Sequence, residues 1–231
     1  VLGAEMNIID DTYLVSLEGY YKKMNNLLEY RDDAEFTLGI PLEDQFTRGD
    51  GVAYGIELFL NKQIGNFTGW LGYTLAWTKR QFADLNNGKE FYPRYDRRHD
   101  VSLTLNYEFN DTWELGMAWV YGTGQAYTMP TSTYIWRDDF NYNDEKYQFS
   151  DRNGVRLPAY HRLDLNFMYK FEAYKLPWVL SINIYNVYDR RNPFAWNVGY
   201  DYNDQTGEFT KELKQITLFP IIPTLGLSFE F

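Results

Sequence analysis

The sequence predicts an all-β protein, an antiparallel transmembrane β-barrel, on three observations. Apolar and polar side chains alternate with a period of two over segments of about ten residues, as a strand wetted on one face only requires. Aromatic residues collect at the ends of these segments. The connections alternate between tight turns and long polar stretches, the pattern of outer-membrane barrels.

The terminal segment shows the alternation most clearly. Leu225, Leu227, Phe229 and Phe231 fall on one face, and Thr224, Gly226, Ser228 and Glu230 on the other. Val101, Leu103, Leu105, Tyr107 and Phe109 repeat it against Ser102, Thr104, Asn106 and Glu108, as do Leu163, Leu165, Phe167, Tyr169 and Phe171 against Arg162, Asp164, Asn166 and Lys170. Further strands are expected over Tyr13 to Lys23, Val52 to Lys62, Asn66 to Thr78, Thr112 to Tyr121 and Trp178 to Tyr188. These make eight strands, each near the roughly 9–11 residues that a tilted membrane strand needs. Phe194 to Tyr202 and Phe209 to Leu218 are read as an extracellular hairpin; as wall strands, with a turn near Asn203 to Gly207, they would raise the count to ten.

Gly, Asn-Asp and Pro punctuate the short turns at Gln63 to Gly65, Asn110 to Asp111 and Glu172 to Leu176. Long polar segments run from Met24 to Gly51, Lys79 to Arg97, Gly122 to Leu157 and Arg190 to Ile222. Periodicity alone also describes a soluble β-sandwich. Loop asymmetry and aromatic strand ends favour the membrane, where the apolar face needs no second protein layer and closure removes the sheet edges.

Composition agrees. The 231 residues are 19% aromatic, with 21 Tyr, 16 Phe and 7 Trp, while mean hydropathy is only −0.51. A soluble core would need a partner for every buried hydroxyl and indole N–H, whereas a barrel lodges such rings at two interfaces. No run of about 18 apolar residues offers a membrane helix. A net charge of −10 argues against nucleic acid, which demands a phosphate-neutralising basic stripe. Cys is absent, so thiolate metal sites and disulfides are excluded. The chain opens at Val1 without a charged and then apolar leader, although export requires one; a removed signal or a longer parent polypeptide is expected.

Several strings, in their order and spacing, carry a resemblance covering about Tyr13 to Phe231. They are Gly55-Ile56-Glu57-Leu58, Gly69-Trp70-Leu71-Gly72-Tyr73-Thr74, Tyr95-Asp96-Arg97-Arg98-His99-Asp100 and Tyr121-Gly122-Thr123-Gly124. Leu157-Pro158-Ala159-Tyr160-His161-Arg162-Leu163-Asp164, Asn186-Val187-Tyr188-Asp189 and Phe219-Pro220-Ile221-Ile222-Pro223 complete the set. Together they resemble the closing part of a TonB-dependent receptor of the type with a carboxypeptidase-regulatory-like N-terminal domain. The resemblance implies that residues 1–231 are the C-terminal part of a barrel of about twenty-two strands, with the plug and the energy-coupling box outside this chain. It also implies the outer membrane as location, with the C-terminus periplasmic. Leu227, Phe229 and Phe231 resemble the terminal signal read by the barrel-assembly machinery. The implied partners are outer-membrane lipid, that machinery, the TonB complex through the missing N-terminal part, and a surface lipoprotein.

The candidate ligand-binding residues lie at the loop bases. Arg94, Asp96, Arg97, Arg98, His99 and Asp100 form the densest charged cluster and offer guanidinium forks to an anion. The plainer reading is a lumen-facing network in which Asp96 and Asp100 neutralise Arg97 and Arg98. Tyr127, Tyr134, Trp136 and Trp196 offer aromatic faces to a sugar, a lipoprotein or the interface. Neither a metal nor a cofactor is expected. His99 and His161 lack a third ligand, and Asp201 to Glu208, like Asp138, Asp139, Asn141 and Asp144, misses calcium-loop spacing. No enzyme is expected, since Ser102 lies three residues from His99 and so faces the opposite side of its strand. The leading expectation is the wall and outer loops of an active importer of a scarce nutrient. The rival is a small self-contained barrel with a structural or adhesive role, its interior filled by Glu18, Glu57, Arg162 and Asp164.

Overall fold

The structure, a computed structural model, describes residues 1–32, 41–137 and 143–230. Its strands are β1 (Leu2–Ile8), β2 (Tyr13–Tyr30), β3 (Phe46–Lys62), β4 (Phe67–Phe82), β5 (His99–Glu108), β6 (Trp113–Gly122), β7 (Ala126–Tyr127), β8 (Pro130–Arg137), β9 (Asn143–Phe149), β10 (Val155–Arg156), β11 (Tyr160–Ala173), β12 (Leu176–Tyr185), β13 (Pro193–Asn203), β14 (Glu208–Thr217) and β15 (Ile222–Phe229). Nine of them form one antiparallel sheet in the order β1-β2-β3-β4-β5-β6-β11-β12-β15. Every neighbour in this order is the next wall strand along the chain, so the sheet is an up-and-down meander that leaves β1 and β15 as free edges.

All eight expected strands stand in this wall, and Leu2–Ile8 adds a ninth. The two segments between Tyr188 and the last strand do not join it. Among the described residues β13 and β14 pair only with each other, as do β8 with β9 and β7 with β10. The expected long connections begin later than the alternation implied. β2, β3 and β4 run 18, 17 and 16 residues against 10 in β5, β6 and β12. Where a strand runs past the apolar alternation both of its faces are open to water, so pairing continues there without an apolar stripe to betray it.

Register places the two faces without ambiguity. Leu103 pairs with Trp119 and Leu71, Leu165 with Met117 and Ile184, and Leu180 with Leu227, so one face is a continuous apolar band. Asn106, Gly116, Asn166, Asn183 and Thr224 form a single cross-strand row on the other, polar face. None of the described residues covers the apolar band: Ile56, Phe167 and Ile182 remain 50%, 40% and 43% exposed, and Phe229 47%. In a soluble sandwich these would be core positions. Among the described residues the fully buried apolar side chains are few, and Phe82 at the end of β4, Leu85 and Phe91, packed with Leu27 of β2, are gathered at the long-connection end.

Aromatic rings bound the band at both heights. Toward the tight turns, Trp113 and Tyr169 lie 4.5 Å apart, Tyr169 and Phe171 5.4 Å, and Trp178 and Phe229 4.6 Å. Toward the long connections, Tyr73 stacks on His99, Tyr121 on His161, and His161 meets Tyr188. The two rows are eight residues apart on β11, about 20 Å of height at a tilt near 40°. That is close to the apolar band of about 25 Å known for membrane barrels.

The tight turns rely on left-handed backbone. Tyr174 and Lys175 between β11 and β12 have φ of 54° and 61°, which matches strand twist in a two-residue hairpin. Gly69 adopts φ of 147°, and a Cβ there would lie 2.2 Å from the Thr104 carbonyl oxygen, so β4 can approach β5 only with glycine at this point.

Candidate functional site

The polar and aromatic residues singled out in the sequence converge at the long-connection end, where Asp96 is the hub. It is 2% exposed, and its carboxylate accepts the Thr78 backbone N–H at 2.8 Å. Arg98 approaches it at 3.6 Å, and Arg156 of β10 donates both to the carboxylate and to the Asp96 carbonyl. Burying a carboxylate is costly unless charge and hydrogen bonds compensate it, and here both do. Arg156 is sixty residues away along the chain, so nothing local in the sequence marks it as the partner. Arg97 lies 3.5 Å from Asp100, its guanidinium over the Tyr160 ring. The Arg98 guanidinium lies over the Trp77 and Tyr92 rings, 4.5 and 5.7 Å from their centres.

His99 does not join this group. It turns to the apolar face, where its Nδ1 lies 2.9 Å from the Tyr73 hydroxyl. Ser102, paired with Gly72 on the polar face, points away from it. His161 makes the equivalent contact with Tyr188 at 2.8 Å. Both histidines therefore sit in the aromatic row that borders the apolar band, and no group of three His, Cys, Asp or Glu side chains able to hold a metal exists among the described residues.

A second ion-pair cluster, unmarked in the sequence, lies beside the first. Glu29, on the part of β2 that overshoots the wall, binds Arg80 at 2.7 Å and Arg152 at 3.4 Å, and Arg152 also pairs with Asp32. This ties the first long connection to the third. Farther round, Asn186 is 1% exposed and receives the Arg190 N–H while donating to the Arg190 and Phe219 carbonyls. Asn192 mimics a strand neighbour by exchanging hydrogen bonds with both backbone groups of His161.

Between these anchors opens a cleft of about 560 Å³, walled by Arg94, Tyr95, Arg97, Tyr160, Pro193 and Phe194. Arg94 lies 6.0 Å from the centre of the Tyr127 ring, and the Tyr127 hydroxyl donates to the Trp196 carbonyl at 2.8 Å. The structure thus brings Arg94, Arg97, Tyr127 and Trp196 into one neighbourhood. Trp136 stands apart on the β8–β9 hairpin, 58% exposed. Leu227 and Phe229 lie on the apolar face of β15, paired with Leu180 and Trp178, while Phe231 lies outside the described residues, as do Asp138, Asp139 and Asn141. Asp201, in the other acidic stretch, bonds Lys214 at 3.3 Å.

A family model described as TonB dependent receptor-like, β-barrel, matches residues 2–187. The chain belongs to this family. Solved structures share the fold of this TonB-dependent receptor barrel at low identity. The ferripyoverdine receptor of the outer membrane of Pseudomonas aeruginosa, bound to ferripyoverdine, matches with a TM-score of 0.53 at 14% identity, over 97% of this chain and 26% of its own. The FpvAI–pyocin S2 complex matches with a TM-score of 0.54 at 14% identity, over 97% and 26%. The FrpB iron transporter from Neisseria meningitidis matches with a TM-score of 0.53 at 13% identity, over 97% and 30%. The receptor barrel chain therefore spans less than a third of the length of these relatives. No curated protein matches it.

Proposed function

We propose that this chain forms part of the wall and several outer loops of an outer-membrane TonB-dependent transporter that imports a scarce nutrient. The observation that carries the reading is the nine-stranded sheet with one uncovered apolar face bounded by two aromatic rows, in a chain of this family. Residues 1–231 are then the C-terminal part of the barrel domain, with plug and N-terminal domains supplied by the rest of the polypeptide. Outer-membrane lipid meets the apolar face, and the tight-turn end, where β15 finishes, is periplasmic. The barrel-assembly machinery would recognise the Leu227, Phe229 and Phe231 edge, and the TonB complex would act through the N-terminal part.

The loop end is where nutrient is captured. Arg94, Asp96, Arg97, Arg98, Asp100, Tyr127 and Trp196 build or support its cleft, while Trp136 offers a separate aromatic surface for a lipoprotein lid. The rival small barrel has the sheet itself against it. Nine antiparallel strands leave β1 and β15 running in the same direction, so closure within this chain would need one parallel pair in an otherwise antiparallel wall.

The test is uptake by a strain lacking the receptor gene, with ferric chelates, oligosaccharides, peptides and cobalamin as single limiting nutrients. At least one uptake should fall both on deletion and on collapse of the inner-membrane proton gradient. Unchanged uptake of nutrients from all these classes would remove the importer reading.

A further inference from the structure

The charges around the cleft do not balance, and the imbalance sits where the cleft is open. The two salt-bridged clusters described above contain five guanidinium groups, Arg80, Arg97, Arg98, Arg152 and Arg156, and four carboxylates, Glu29, Asp32, Asp96 and Asp100, while Arg94 stands outside both. Each carboxylate is already engaged. Arg94, among the described residues, forms no ion pair, and its guanidinium lies 6.0 Å from the centre of the Tyr127 ring. Arg97 shares Asp100 at 3.5 Å, a loose pair with the carboxylate half exposed. Both open onto the same cleft, whose wall contains no acidic side chain. This excess of positive charge arises in a chain whose net charge is −10.

The rest of the wall is flat and apolar. Tyr160 lies beneath the Arg97 guanidinium, Tyr95 receives a hydrogen bond from Arg80 that fixes its hydroxyl, and Phe194 is 53% exposed with Pro193 beside it. Guanidinium planes held against rings lose little freedom when an oxyanion binds them in fork geometry, because stacking has already oriented them. Rings at the same opening offer their faces to a flat ligand.

We propose that this cleft binds a soluble anion with a planar apolar flank, its carboxylate, phosphate or sulfonate oxygens held by Arg94 and Arg97 and its flat face laid on Phe194 and the tyrosines. The ligand class deepens the importer reading and rests on it for its meaning, but binding itself requires no energy source. The experiment uses the complete receptor purified in a neutral detergent, with pyrenetetrasulfonate as probe and fluorescence anisotropy as readout. Saturable binding is expected, weakened about tenfold by Arg94→Gln, the effect of one lost charge-assisted contact. Phe194→Ala should weaken it several-fold, and a trimethylammonium-bearing pyrene should not compete. Arg94 holds no ion pair, so its replacement leaves the fold in place, and Arg94→Lys should retain part of the affinity. Absence of saturable binding, equal affinity in Arg94→Gln, or equal competition by the cationic pyrene would each overturn the proposal. A receptor that binds the probe yet imports none of the tested nutrients would leave the site standing and remove the importer reading alone.

Discussion

Placing an arginine at successive heights on β11 measures which solvent the apolar face meets. Leu165 lies four residues from His161 and four from Tyr169, each in one of the two bounding aromatic rows. At about 3.4 Å per residue and a tilt near 40°, Leu165 is about 10 Å from either row, at mid-depth of the hydrocarbon. Leu165→Arg should therefore cost about 2–4 kcal/mol, and His161→Arg, at the border, about 0–1 kcal/mol. Asn166→Arg, one residue along but on the polar face, should cost less than Leu165→Arg, because water reaches it. The assay is guanidinium-induced unfolding of the complete receptor in lipid vesicles, followed by tryptophan fluorescence. A second protein layer over the sheet would penalise Leu165→Arg and His161→Arg alike, with no dependence on height. That outcome, or an Asn166→Arg penalty as large as that of Leu165→Arg, would refute the argument from lipid.

Three further outcomes are expected. Asp96→Asn removes the charge that holds Arg156 and Arg98; it should cost about 1–3 kcal/mol and be seen as faster hydrogen exchange across the β6–β11 connection, with exchange in β5 and β6 unchanged. Gly69→Ala forces a Cβ against the Thr104 carbonyl at a φ that only glycine holds easily, and should lower stability by about 1–3 kcal/mol, measured as a lower midpoint in the same unfolding assay. Phe229→Ala takes away the ring packed 4.6 Å from Trp178 at the edge where the wall ends; the fraction of receptor that reaches the heat-modifiable folded form in outer-membrane preparations should fall, and an unchanged fraction would speak against a role for this edge in assembly.

The wall was legible because its physics is periodic: one solvent on each face forces alternation, and Leu163 to Phe171 or Leu225 to Phe229 admit no other register. Leu2, Ala4, Met6 and Ile8 alternate equally well in β1, but seven residues fall short of the length by which a crossing strand is recognised. The upper parts of β2, β3 and β4 left no trace because a strand with water on both sides has no apolar stripe. At the candidate site, the charged string from Arg94 to Asp100 was visible, but its partners were not. Arg156 reaches Asp96 from another connection, and Glu29 reaches Arg152 across more than a hundred residues. Ion pairing depends on three-dimensional return of the chain, and one-dimensional spacing carries no record of it. His99 shows the converse: adjacent in sequence to four charged residues, it faces the other way because a strand turns each successive side chain over.

The unequal strand lengths divide the outer end of this segment into two kinds of structure. β2 exceeds β5 by eight residues, about 20 Å of extra height at the same tilt. Within this chain the paired wall therefore continues farther in β2, β3 and β4 than in β5 and β6, whereas the connections that follow carry the separate β8–β9 and β13–β14 hairpins. The outer end of this segment is thus built in two ways, as stiff continuous sheet on one flank and as detached hairpins bearing Trp136 and Trp196 on the other.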